Sequence, residues 1–179
     1  MTTGAPELAA EQGEAVVVEA ALPTGLEVRE LLNGLFDRPV TVHEEPTPVL
    51  PGRGVCMVGS YVDETGGVRA LAMTDLTLGC CLGAALALVP MPRVAEAIEG
   101  GVVPVDLADN TQEVLNIAAS LFNSAAAHLK LRAVQVAPEP VTDDVVAFLR
   151  GAPHRTDLRV EVPGYGTGVL VLLLAQPEH

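Results

Sequence analysis

The sequence predicts an α+β domain in which a duplicated α-β-β-β unit builds one sheet with helices packed on one face. Three observations predict it. Two hairpin patterns stand far apart in the chain, "VCMVGSYV"–"DETGG"–"VRALAM" and "DLRVEV"–"PGYGTG"–"VLVLLLA". Each hairpin follows a helical stretch and a single strand-like segment, so the order helix, strand, hairpin occurs twice. The helix-to-strand junctions are also alike, "LLNGLFDRPVTV" in the first half and "AAAHLKLRAVQV" in the second.

The elements follow from local signals. Residues 1 to about 22 read as a frayed acidic tail, with one ordered piece at "AVVVEAAL", closed by Pro23. The domain proper is then 23 to 177. A helix is expected in "GLEVRELLNGLF", with Leu26, Leu31, Leu32 and Leu35 as its apolar stripe, stopped by Pro39. "PVTVHEE" alternates like a strand, "PTPVLPGRG" is a proline-rich loop, and the first hairpin follows. Thr74 or Asp75 can cap a buried helix through "LTLGCCLGAALALV", in which Gly79 and Gly83 invite close approach of another backbone. "PRVAEAIEGG" gives a short helix with Pro92 near its start and a glycine pair at its end. A long helix should begin near Asp106 or Asp109 and run to about Lys130, about 35 Å at the helical rise. "LRAVQVA" resumes strand character, and Thr142 can cap a short helix in "TDDVVAFLRGA". In the closing hairpin, "VLVLLLA" lacks polar alternation, as expected of a strand covered on both faces or at the sheet centre.

Composition narrows the function. The 179 residues suit one domain, and the net charge of −13 with a single lysine, Lys130, leaves no basic patch for phosphate backbones. Nucleic-acid binding is therefore excluded, and an acidic surface suits a partner with basic groups. The amino terminus lacks the basic start of a secretory signal. The longest apolar run, "LTLGCCLGAALALVPM", is too short to span a membrane, so a cytoplasmic protein is expected. Cys56, Cys80 and Cys81 have no metal-type spacing and read as small buried hydrophobes in a reducing compartment. His43, His128, His154 and His179 are scattered without ligand spacing, so no metal site is expected. The glycines of "PGYGTG" suit a turn and lack the strand-to-helix context of a phosphate loop.

The chemistry sits on "DNTQEVLNIAASLFN". Each helical residue turns about 100°, so Asp109, Glu113 and Asn116 fall within about 60° of arc. Ser120 and Asn123 continue that line. Val114, Ile117, Ala118, Leu121, Phe122 and Ala125 lie opposite and should face the sheet, leaving the polar line exposed.

The pattern Asp109-x-x-x-Glu113-x-x-Asn116, on a helix followed by Pro138 and Pro140, resembles the motif of the chemotaxis phosphatases CheC, CheX and FliY. The two prolines flank the position at which that family carries one. The order of hairpin, helix ending in a glycine pair, motif helix and closing strand pair is similar to CheX and covers most of residues 25 to 175. The resemblance implies a CheC-like fold and hydrolysis of the aspartyl-phosphate on a response-regulator receiver of the CheY type. It implies that Asn116 holds the attacking water and that Glu113 engages a basic group of the receiver, with Asp109 and Ser120 at the partner contact. It implies no cofactor of the chain's own, because the receiver brings the magnesium ion. Leu115 stands where these phosphatases commonly carry glycine or another small residue, and its direction decides whether the face is clear.

Other readings of these residues stand beside that one. Asp109 with Gln112 has the spacing of a capping box, and Glu113 and Asn116 suit a merely solvated face. Asn is a mediocre helix former, however, and is usually placed where a job requires it. A second Glu-x-x-Asn, Glu30 and Asn33, has Leu26 where Asp or Ser belongs, and Asn33-Gly34 reads as a fraying helix end, so a single site is expected. The alternative function is a non-catalytic module of the same fold that binds a receiver or a switch component. A homodimer through the Gly79/Gly83 face or a sheet edge is also open.

Overall fold

A computed structural model describes residues 21–46, 54–123, 128–151 and 153–176. Most of the expected acidic tail, the loop over 47–53, Ala125 and His179 lie outside them. The elements are α1 (Gly25–Phe36), β1 (Thr41–Glu44), β2 (Val55–Val62), β3 (Val68–Asp75), α2 (Leu76–Ala87), α3 (Met91–Gly100), α4 (Val105–Ile117), a 3₁₀ turn (Ala118–Phe122), β4 (Lys130–Val136), α5 (Asp143–Arg150), β5 (His154–Val162) and β6 (Gly166–Leu174). This is the α+β class expected. Among the described residues no helix is long and apolar enough to cross a membrane.

The six strands form one antiparallel sheet in the order β1-β5-β6-β3-β2-β4. Exchanging each first-half strand with its second-half counterpart (β1 with β4, β2 with β5, β3 with β6) gives the same order reversed. The α-β-β-β duplication is therefore written into the sheet, with its pseudo-dyad between β3 and β6. Each lone strand pairs with the hairpin of the other half, β1 with β5 and β4 with β2.

Alternation along the strands sorts the core onto two faces. Ala70, Ala72, Leu158, Val160, Leu170, Leu172 and Leu174 face the main core beneath α1, α2 and α4. Leu71, Met73, Val171 and Leu173 face the opposite way, where Val145, Phe148 and Leu149 of α5 cover them. β6 is therefore central and buried on both faces, which is why its sequence shows no polar alternation. Its hairpin turn is tighter than expected, since Gly166 already belongs to the strand. Thr142 precedes α5 as expected, yet its hydroxyl donates to Asp144 instead of capping the helix.

In α1 the cap is Thr24, which accepts from the Glu27 amide, while the Glu27 carboxylate accepts from the Thr24 amide at 2.7 Å. The buried stripe is Val28, Leu32 and Phe36, with Leu31 and Leu35 half-buried, and Leu26 points to solvent. Leu26 sits two positions from Val28 and so lies nearly across the helix from it. Asn33 does not fray. Its Oδ1 accepts from the Val40 amide at 2.7 Å, tying the helix end to the start of β1.

In α2, Asp75 is the cap, its Oδ1 accepting from the Leu78 amide at 2.8 Å. Both glycines are consumed inside the molecule. A Cβ on Gly83 would meet the Leu107 carbonyl oxygen at 2.2 Å, and one on Gly79 would meet the Met57 sulfur at 3.1 Å. The Thr111 hydroxyl, fully buried, donates to the Gly79 carbonyl at 2.6 Å. α2 and α4 thus run antiparallel with backbones in contact. That glycine face is covered by α4, so it is not available to a second copy of the chain.

Candidate functional site

α4 is positioned by its buried residues. Leu107, Thr111, Val114 and Leu115, followed by Ala118 in the 3₁₀ turn, recur at helical spacing and seat it against α2 and the sheet. Asp106, Asp109, Gln112, Glu113 and Asn116 are exposed on the other side, and so is Ser120. Two expectations are corrected. The helix starts at Val105, after Pro104, so Asp109 lies more than a turn inside it and forms no capping box with Gln112. The helix also stops at Ile117 and tightens into the 3₁₀ turn, with Asn123 in extended conformation after it. It does not continue to Lys130, which opens β4.

The early stop has a tertiary cause. The buried Tyr61 hydroxyl, on β2, donates to the Leu115 carbonyl at 2.8 Å, and its ring lies 4.9 Å from that of Phe122. Asn123 then turns its Oδ1 to the Leu129 amide at 2.7 Å. This is the pseudo-dyad mate of the bond from Val40 to Asn33: in each half an asparagine, Asn33 in the last turn of α1 and Asn123 just after the 3₁₀ turn, holds the entry to the lone strand. Asn123 therefore leaves the polar line. It also explains the second Glu-x-x-Asn, since Asn33 corresponds in the fold to Asn123 and not to Asn116. Both amide oxygens are committed to the backbone.

The remaining line is Asp109, Glu113, Asn116 and Ser120. The Ser120 hydroxyl donates to the Ile117 carbonyl at 2.8 Å and keeps its lone pairs for an outside donor. Asp109, Glu113 and Asn116 make no side-chain hydrogen bond among the described residues. Leu115, set between Glu113 and Asn116, is 2 % exposed and points inward. Its Cδ1 would lie 3.4 Å from a Cβ on Gly59, so the glycine in β2 makes its room. The face around Asn116 is clear.

Tyr61 is a contributor that the sequence pattern does not mark. Replacing it with phenylalanine keeps the ring contact and strands the Leu115 carbonyl, a buried acceptor whose loss of a partner costs about 1–3 kcal/mol. A thermal melt of Tyr61→Phe should fall accordingly. An unchanged melting temperature would mean the helix stop does not depend on this bond.

Among the described residues no group of His, Cys, Asp and Glu could hold a metal ion. The three cysteines are buried, as expected, and burial pushes the Cys80 and Cys81 thiols up to about 11 and about 12. They are packing, not nucleophiles. The chemistry available on the surface is that of an amide and two carboxylates on one open helix face.

No family model matches the sequence, and no curated protein matches it. Solved structures do. The FliM middle domain from H. pylori superposes with a TM-score of 0.51 at 7% identity, over 84% of this chain and 84% of that one. A chain of the FliG–FliM complex from H. pylori gives 0.52 at 7% identity, over 84% and 86%. The chain has the fold of the FliM middle domain. At such identities the FliM likeness concerns the fold alone. A looser match, at TM-score 0.47 and 7% identity over 82% of this chain and 92% of the other, is a chain of the CheX–CheY–BeF3–Mg complex from Borrelia burgdorferi. Within this fold α4 packs on the main core, and the side chains of Asp109, Glu113 and Asn116 are exposed.

Proposed function

We propose that the α4 face docks on the phosphorylated receiver domain of a response regulator and speeds hydrolysis of its aspartyl-phosphate. The observation that carries this is the pairing of Glu113 and Asn116: both exposed, neither spent on an internal bond, with Leu115 between them turned into the core. In the reaction a water oxygen attacks phosphorus as the bond from phosphorus to the aspartyl oxygen breaks. The products are the free carboxylate and inorganic phosphate, and the water's proton leaves with the phosphate or to solvent. Such transfer is mostly positioning and charge stabilisation, and the receiver supplies the divalent ion and its own lysine. The neutral Asn116 amide orients the water without repelling the phosphoryl oxygens. Glu113, a turn away, pairs with a basic group of the receiver and fixes the docking, with Asp109 and Ser120 at the rim. The test is phosphoryl decay of each receiver encoded beside this gene, with and without the protein.

A second reading is favoured by the FliM fold, since one matching structure is a complex of FliG with FliM. On it the same face binds a partner without chemistry. Receiver binding that leaves the phosphoryl lifetime unchanged would select this reading.

A further inference from the structure

Four of the five large hydrophobic side chains exposed among the described residues stand at one corner: Leu88 at 69%, Met91 at 39%, Val102 at 54% and Val105 at 75%. The corner is real in space. Gly83 near the end of α2 touches Leu107 near the start of α4, and Arg93 in the first turn of α3 pairs with Asp106 of α4 at 3.4 Å. The α2–α3 and α3–α4 junctions therefore meet at the amino-terminal end of α4.

This corner continues the polar line. Val105, Asp109, Glu113 and Asn116 fall within about 80° of arc on one helix, with Val105 about 16 Å along the axis from Asn116. That span fits inside one ordinary interface footprint of about 800 Å² per partner. The order along the face is apolar, acidic, acidic, amide. Interfaces of this kind keep an apolar anchor beside charges that set orientation.

Leu88 supplies an independent observation. It ends α2 in the left-handed conformation, with φ of 55°. Glycine holds that position with less strain and is the usual choice. A leucine there puts an apolar side chain into water at the cost of backbone strain, which local structure does not require.

We infer that Val102, Val105, Leu88 and Met91 form the apolar anchor by which this chain grips its receiver, an inference that rests on the receiver reading above. The receiver it fits has an apolar patch beside a basic group, at the rim of its acyl-phosphate site. The acidic line selects the basic group, and the anchor sets affinity.

Two variants test it: Leu88→Gly, which relieves the left-handed strain while removing the side chain, and the double change Val102→Ser with Val105→Ser. Phosphoryl decay is followed against increasing protein, alongside receiver binding and melting temperature. The expected result is a half-saturating concentration raised about tenfold with the plateau rate unchanged, and Leu88→Gly melting no lower than the parent. Unchanged half-saturation and binding in both variants, with wild-type protein still active, overturns the anchor and leaves the function standing. Wild-type binding without accelerated decay, weakened by both variants, upholds the anchor while the catalytic reading falls. If wild-type protein binds no receiver, or the variants abolish self-association without altering receiver binding, the anchor belongs to something else and the inference fails.

Discussion

Replacing Gly83 by alanine is expected to destabilise the protein by about 3 kcal/mol or more, at the upper end of overpacking costs. The obstacle is backbone: the new methyl would sit 2.2 Å from the Leu107 carbonyl oxygen and 2.8 Å from the Thr111 hydroxyl oxygen. A flexible side chain could swing away, but a helix carbonyl moves only with its helix. α4 must back off from α2, which also stretches the bond from Thr111 to the Gly79 carbonyl. At about 2–4 °C per kcal/mol for a chain of this size, the melting temperature should fall about 6–12 °C. Gly34→Ala is the control. Nothing lies within 4 Å of its Cβ position, it sits within α1, and alanine there should stabilise by about 0.5–1 kcal/mol. A Gly83→Ala melt within about 2 °C of the parent, on the same scale of shift per kcal/mol, would mean that the two helices are not seated on each other as described.

Asn116→Ala is expected to remove the acceleration of receiver dephosphorylation by about 100-fold or more, the scale of losing a group that positions a reactant. Stability should move the other way. Asn116 is exposed and unbonded among the described residues, and alanine is the better helix former, so the variant should melt at or slightly above the parent. Receiver binding should persist. Loss of rate without loss of fold or affinity separates this residue from Glu113, whose change to glutamine should weaken binding and flatten its salt dependence. If Asn116→Ala retains full activity, the water is held by some other group and the proposed mechanism fails.

Much of this was legible because it depends on short-range periodicity. The bounds of α1 and β2, the turn after Val62, the Asp75 cap and the exposure of Asp109, Glu113 and Asn116 follow from spacing and local caps. What was not legible depends on partners distant in sequence. Nothing near Ile117 tells a helix to stop, because the group that takes the Leu115 carbonyl is Tyr61. Asn123 has the spacing of the polar line, and only the approach of Leu129 shows that it faces elsewhere. Leu115 is buried although it adjoins the polar face, because Gly59 on a distant strand leaves a recess for it. Thr111 carries a polar atom in an apolar row, and the Gly79 carbonyl explains it only once α2 and α4 are side by side. The short helix after Thr142 was expected, but that α5 covers the sheet face opposite α1, α2 and α4 is seen only when β6 is placed at the centre with both sides needing cover.

The strand order has a consequence for biosynthesis. β6, which lies between β5 and β3, is the last of the six strands to leave the ribosome, yet it joins the halves. Until it emerges, β1 has no docked hairpin to lean on and the inner edge of β3 stays unpaired, a sticky border open to other nascent chains. Neither half can mature as an independent foldon, so the molecule should assemble late and all at once.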